Sequence, residues 1–386
     1  MRIEIGEIVF LSCTVLLVYA YFGYPLLVYI FSRLFPKAVK RGLIEPTVTV
    51  LITAFNEESA IRQKIENTLK LEHPTDKLEI IVASDGSTDA TDEIVKEYAD
   101  RGVQLFRQEG RVGKTVTQNN AVKRATGEII LFSDATTEYS PDVLTKVLPN
   151  FADETVGCVA GRLVYVDDAD SNVGKGAQGY WNYETFIKTA ESAACSLIGA
   201  SGCLYAVRRS AYREMYAEAC SDFLICTILY RQGLRSVFEP DAVCYEETNR
   251  ESKGEMQMRI RVISQTFTDL WRNVDMLNPF KSGFYAIELV SHKVLRYAVP
   301  LLLLGIFISA GLLAASSLFF SVIFLLQVLF YLCALAGWLL ERTGRKASLL
   351  AIPLYFVLAN LASVIAFFRF VRGERVATWE PIRDPR

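Results

Sequence analysis

Residues 8–31, IVFLSCTVLLVYAYFGYPLLVYIF, contain no charged side chain. A helix needs about 20 apolar residues to cross a bilayer, and inside it must satisfy all its own backbone hydrogen bonds. The run is longer than a signal-peptide core and has no small-x-small cleavage site, so residues 1–34 are expected to form an uncleaved transmembrane anchor. Arg33, Lys37, Lys40 and Arg41 follow at once. The positive-inside tendency then puts the next domain in the cytoplasm. A second apolar block runs from 297 to 341 with a break near Ala315–Ser317, and another covers 349–369. Three C-terminal transmembrane helices are expected within 297–371. Before them, LNPFKSGFYAIELVSHKVLRYAVP mixes aromatic, aliphatic and basic residues, which suits an interfacial amphipathic segment at 271–296. The tail, 372–386, is basic and aromatic, which favours the cytoplasmic side. One span before the domain and three after it would put that tail outside, and the sequence leaves the conflict open. The expectation is a multi-pass protein of the plasma membrane with the bilayer as a partner.

The whole chain is 51% hydrophobic and 22% charged over 386 residues, a combination that makes sense only if the apolar excess is local. Between 45 and 270 the pattern changes. TVTVLITAF, LEIIVASD, VQLFRQ and EIILFSDA read as buried strands, and helical spacing separates them, as in SAIRQKIENTLKLEH. Strand alternating with helix predicts an α/β domain with a mostly parallel sheet covered on both faces. Ligands bind such sheets beyond the carboxyl ends of the strands. A net charge of −2 argues against nucleic acid as a partner. Eight scattered cysteines without a C-x-x-C, and only two histidines, argue against a Cys/His metal site. These thiols read as reduced and buried.

Four short stretches carry the chemistry. TAFNEE (53–58) ends the first strand, SDGSTD (84–89) ends the second, RVGKTVTQN (111–119) opens a helix, and FSDATT (132–137) ends the fourth strand. Singly, each is an ordinary turn or helix cap. Together they place Asp85 and Asp134 at one sheet edge with Lys114 between them in sequence. That set suits a nucleoside diphosphate: a carboxylate for base or ribose, a carboxylate and phosphate oxygens for a hard cation, and an ammonium as countercharge. No G-x-x-x-x-G-K-[ST] and no G-x-G-x-x-G is present, which excludes P-loop and dinucleotide-binding readings.

These stretches resemble the motifs of membrane-integrated, inverting family 2 glycosyltransferases of the GT-A fold, relatives of cellulose, hyaluronan and poly-N-acetylglucosamine synthases. The resemblance covers residues 47 to about 300. It implies that Ala54, Asn56 and Glu57 cup the uracil of a UDP-sugar and that Asp85 is the nucleotide-binding acid. Lys114 and Asn119 would pack near the diphosphate. Asp134 would hold Mg2+ or Mn2+, although Thr136 stands where the family's second acid belongs. GASGCLYAVRRSAY (199–212) resembles the acceptor-side loop, with Gly202 and Cys203, and Trp181 in GYWNYE adds an aromatic face. Asp222, eleven residues before Gly233, takes the place of the catalytic base. MRIRV (258–262) keeps Arg259 and Arg261 for phosphate but has Met258 and Val262 where processive members have glutamine and tryptophan. The resemblance therefore implies transfer of one or a few sugars to a lipid-linked or polysaccharide acceptor. A processive synthase that extrudes its polymer and a catalytically inactive membrane scaffold are the competing expectations.

Overall fold

The computed structural model describes residues 5–166, 172–247, 252–343 and 348–378. One sheet of eight strands has the order β3-β2-β1-β4-β7-β6-β8-β5. Strands β1 (Val48–Ala54), β2 (Leu78–Ser84), β3 (Val103–Arg107) and β4 (Ile129–Asp134) pair in parallel. Strands β5 (Glu138–Tyr139), β6 (Val156–Val166), β7 (Tyr205–Arg208) and β8 (Arg235–Glu247) complete it. β7 runs antiparallel to β4 and β6, β8 runs parallel to β6, and β5 closes the edge antiparallel to β8. The sheet is thus mixed, and the parallel half is the one read from β-branched runs.

Successive side chains of a strand face opposite ways. Val48, Val50 and Ile52 enter one core with Ile61 and Ile65, while Leu51 enters the other with Phe132 and Tyr205. Every residue of β1 is buried, which fits a central strand with both faces covered.

Helix α1 (Ile5–Leu34) precedes the sheet. The covering helices that matter here are α2 (Ile61–Thr68), α3 (Lys114–Val122), α4 (Asn172–Ala194), α5 (Ser221–Arg231) and α6 (Ser252–Arg272). Three more follow: α7 (Phe284–Leu313), α8 (Leu318–Arg342) and α9 (Ala351–Val371). With α1 they are the described helices long and apolar enough to cross a membrane. α1 widens to a π-turn at Tyr19–Gly23, just before Pro25. Proline lacks an N–H and crowds the carbonyl four residues back, and the wider turn accommodates both.

α1 and α7 pack antiparallel. Gly6 lies against Leu313, Cys13 against Gly305, and Phe31 stacks on Phe284 with ring centroids 4.1 Å apart. The boundary expected at 296/297 falls inside α7, which is continuous from Phe284. The break lies earlier, at Gly283, whose φ of 58° is open to glycine but strained for other residues. Residues 271–283 form the end of α6 and two short turns, Val274–Leu277 and Pro279–Ser282.

α9 has the composition of a span but runs alongside α6 in the same direction. Arg259 meets Tyr355, Ile260 and Ile263 meet Ala362 and Ala366, and Phe267 meets Phe367 and Phe370. The chain then returns to the sheet domain. Gln265 donates to the Val376 carbonyl at 3.0 Å, and a Cβ on Gly113 would collide with the Ala377 carbonyl. The expected tail 372–386 is described only as far as Thr378, so its last residues, including Trp379, lie outside the described residues.

Candidate active site

The carboxyl ends of β1, β2 and β4 open on one edge. There the loops after β1 and β2 lock together. Asn56 Oδ1 accepts from the Thr88 N–H at 2.8 Å, its own N–H donates to Ser87 Oγ at 3.1 Å, and the Glu57 N–H donates to Thr91 Oγ1 at 2.7 Å. Asn56 has a φ of 53°, a left-handed conformation that asparagine tolerates better than most residues. Ala54 and Glu57 are buried in the same wall. Side chains expected to touch a nucleotide thus also hold its wall in shape.

Asp85 is fully buried. Its carboxylate accepts from the N–H groups of Val112 and Gly113, both at 2.9 Å, and from Thr117 Oγ1 at 2.8 Å. This acid holds the glycine-lysine loop and the start of α3. No part of it is exposed. Asn119 is likewise occupied inside the fold: it accepts from the Tyr212 hydroxyl at 2.8 Å and donates to the Met215 carbonyl at 2.7 Å.

The loop delivers Lys114 to Asp134, with which it forms an ion pair. Burial alone would lower the lysine's pKa, but Asp134 and then Asp222 outweigh it and hold the ammonium above its ordinary value. Asp222 sits in the first turn of α5, half-buried, with Cys220 Sγ 3.1 Å from its Oδ1. Gly202 joins these groups. A Cβ placed on it would lie 3.2 Å from Lys114 Nζ, 3.5 Å from Asp134 Oδ2 and 3.6 Å from Asp222 Oδ2. Residues from three distant stretches converge on that point, and glycine leaves the space between them open.

The other expected residues divide. Arg261 is half-buried, acts electrostatically on Lys114, and makes no ion pair among the described residues. Arg259 is not brought to the site: its Nε pairs with Glu255 at 2.7 Å, its Nη2 donates to the Tyr355 hydroxyl, and its guanidinium lies over the Tyr180 and Tyr355 rings. Cys203 turns away into the core with its Sγ 3.2 Å from that of Cys244. Trp181 packs edge-on against Tyr165, with Lys188 Nζ 5.3 Å from its ring centre.

Two residues at this edge were not singled out in the sequence. Glu246, near the end of β8, accepts from Thr136 Oγ1 at 3.4 Å. Burial first, then the Asp134 charge, push it up to about 7. It lies in sequence more than a hundred residues from Thr136, and only the β5–β8 pairing brings the two together. Asp269 on α6 accepts from the Tyr216 hydroxyl and from the Cys220 N–H, the latter at 3.0 Å, and so pins the loop that carries Asp222.

Among the described residues no three His, Cys, Asp or Glu gather as a metal cluster. Asp134 and Glu246 nevertheless fit a divalent cation. Both are hard oxygen donors, an ammonium already stands against Asp134, and Mg2+ or Mn2+ completes its shell with water and phosphate oxygens. A separate cavity lined by Pro46, Glu128, Phe151 and Arg208 lies at the opposite, amino-terminal edge of β1 and β4 and contains none of these groups.

Residues 49–216 match the family model described as Glycosyl transferase family 2. The matched segment is similar to that family's domain and makes up less than half of the chain. The probable glycosyltransferase YdaM of Bacillus subtilis (strain 168) is 29% identical over 246 residues, 60% of this chain and 58% of that protein. The beta-monoglucosyldiacylglycerol synthase of Nostoc sp. (strain PCC 7120 / SAG 25.82 / UTEX 2576) is 34% identical over 34% of this chain and 28% of its own length. The poly-beta-1,6-N-acetyl-D-glucosamine synthase of Staphylococcus aureus (strain COL) is 27% identical over 55% and 53%. The chain therefore spans less than two thirds of each of these relatives. Among solved structures, the mannosyltransferase PcManGT from Pyrobaculum calidifontis, determined with GDP-Man and Mn2+, aligns with a TM-score of 0.72 over 96% of this chain and 100% of its own, at 23% identity. That likeness shows the fold, a GT-A fold.

Proposed function

We propose that this glycosyltransferase works at a membrane, moving one sugar from a UDP-sugar to the hydroxyl of a lipid-linked or surface-polysaccharide acceptor with inversion at the anomeric carbon. The observation that carries the reading is the convergence of Lys114, Asp134 and Asp222 around the open space at Gly202. Asp222 Oδ2 takes the proton of the acceptor hydroxyl as its oxygen attacks the anomeric carbon. The bond from that carbon to the diphosphate breaks on the opposite face, and UDP leaves. Lys114 exchanges its contact with Asp134 for the diphosphate, and Arg261 adds a second cation. Asp134 and Glu246 would hold a divalent cation, which neutralises charge on the leaving diphosphate. Asp85 and Asn56 keep the nucleotide wall and the lysine loop in place. The names of the relatives, a glucosyldiacylglycerol synthase and a poly-N-acetylglucosamine synthase, agree with acceptors at a membrane surface.

The test is to incubate membranes containing the full chain with a panel of nucleotide sugars, following nucleoside diphosphate release and product size. The reading expects acceptor-dependent release from a UDP-sugar and short, discrete products. No release from any donor would refute it, and release only from a GDP-sugar would correct the donor.

A further inference from the structure

Two buried or half-buried lysines lie beside the base and make no close ion pair among the described residues, although the Glu184 carboxylate acts on both at longer range. Lys188 on α4 is only 7% exposed and donates to Ser201 Oγ at 2.7 Å. Ser201 immediately precedes Gly202. Lys293, in the π-turn Val290–Val294 of α7, is half-buried and lies 5.7 Å from the ring centre of Phe223, the residue after Asp222. Lys188 is within electrostatic reach of both Lys293 and Asp222. Neither lysine forms an ion pair among the described residues.

The neighbouring acids are already engaged. Glu184 accepts from Arg296 and from His292 Nε2, the latter at 3.1 Å. Glu191 faces His292 Nδ1 at 2.6 Å and accepts from the Tyr24 hydroxyl at 2.5 Å. This leaves two like charges close together in a partly dehydrated place, offset only at longer range by Glu184 and, for Lys188, Asp222, an arrangement that a bound anion would stabilise. Their position gives it a use. Lys188 reaches Ser201 next to Gly202, and Lys293, itself on α7, reaches Phe223 next to Asp222.

We infer that Lys188 and Lys293 bind the phosphate or diphosphate group of an anionic lipid-linked saccharide, whose terminal hydroxyl is thereby set against Asp222. This rests on the proposed function and narrows its acceptor: a phosphate-bearing glycolipid rather than a neutral one. The lipid leads out along α7 and α1, and Trp181, over which Lys188 lies, gives the saccharide an aromatic face. Bond changes are those of the transfer itself, since the phosphate group is held and not consumed.

The experiment uses the full chain in nanodiscs with two acceptors that end in the same sugar, a polyprenyl-diphosphate saccharide and a neutral alkyl glycoside. Wild type should prefer the diphosphate acceptor. Lys293→Gln should lower kcat/KM for it by about tenfold more than for the neutral one, with the loss in KM, as removal of one ionic contact implies. Lys293→Arg should restore most of it. Lys188→Gln should act in the same direction, and thermal melting of each variant separates misfolding from lost binding. Equal use of both acceptors by wild type, or equal loss on both in Lys293→Gln, would overturn the inference while leaving the transferase reading intact. Preference for a free anionic phospholipid added in trans would assign the lysines to bulk lipid and also overturn it. Transfer to neither acceptor by wild type would count against the function itself.

Discussion

At the residue scale, the carboxylates near the reaction point have different tasks. Asp134 and Asp222 face the open space, Asp85 is sealed behind the loop it holds, and Asp269 holds the backbone at Cys220. Gly202→Ala is the sharpest probe of that space. The new methyl meets the far end of Lys114 at 3.2 Å and ordinary contacts beyond, so the fold should tolerate it. The expected outcome is a melting temperature close to wild type and a loss of donor affinity of at least about tenfold. Unchanged donor affinity by calorimetry would move the reaction point elsewhere. Asp134→Ala and Glu246→Gln should each weaken Mn2+-dependent nucleotide binding, read by titrating Mn2+ against the bound nucleotide; a Glu246→Gln titration identical to wild type would leave Asp134 alone with the cation. Asp269 gives a pH signature. Burial first, and Asp222 after it, push its carboxyl up to about 8. Between about pH 4, the ordinary aspartate range, and that value the folded protein holds a proton the unfolded chain has lost. Stability from this group therefore falls as pH rises through the window and is constant above it. Asp269→Asn should flatten that part of a plot of melting temperature against pH, and an unaltered slope would contradict the assignment.

At the element scale, the parallel strands were legible because β-branched runs buried on both faces leave a continuous apolar signature. The loops after them were legible as a group for the same topological reason. Individual roles were not. Whether Asp85 or Asn119 faces a ligand or the fold depends on partners such as Val112 and Met215, whose direction the sequence does not encode. Glu246 depends on a strand pairing far away in sequence. α9 has the composition of a span and also packs side by side on α6. The chain leaves the domain at Phe284 and is back against Gly113 at Ala377, so any crossings between them would be even in number. We propose that α7 and α8 make that excursion and that α9, although long and apolar enough to cross, stays on the domain side. That arrangement would remove the conflict posed by the basic tail. In a background cleared of native cysteines, Glu374→Cys should be labelled by an impermeant maleimide from the same side as Glu109→Cys, and Ser316→Cys from the other. Glu374→Cys and Ser316→Cys labelled from the same side would show α9 to be a full span.

At the scale of the whole molecule, the membrane helices are part of the site's support. Tyr24 and Val28 of α1 are fully buried in a cluster with Ile187 and Ala190 of α4, the helix that carries Lys188. Deleting residues 1–34 should therefore lower stability as well as activity on a membrane acceptor, and a truncated protein with wild-type melting and turnover would contradict this. The departures at Met258 and Val262, with Arg259 committed to Glu255 and Tyr355, leave Arg261 as the member of that motif beside Lys114. Under the proposed function short products are expected, since Met258 and Val262 stand where a closing glutamine and tryptophan would hold a growing chain.

The central claim is that Asp222 is the base at a sugar-transfer site shared with Lys114 and Asp134. The direct measurement is acceptor-dependent nucleoside diphosphate release by purified Asp222→Asn protein, set against its affinity for the donor. The amide keeps the shape of the side chain and cannot take a proton. Turnover reduced at least about a hundredfold, with donor affinity within about threefold of wild type, is the predicted result. A variant that keeps more than about a tenth of wild-type turnover while binding donor normally would contradict the claim.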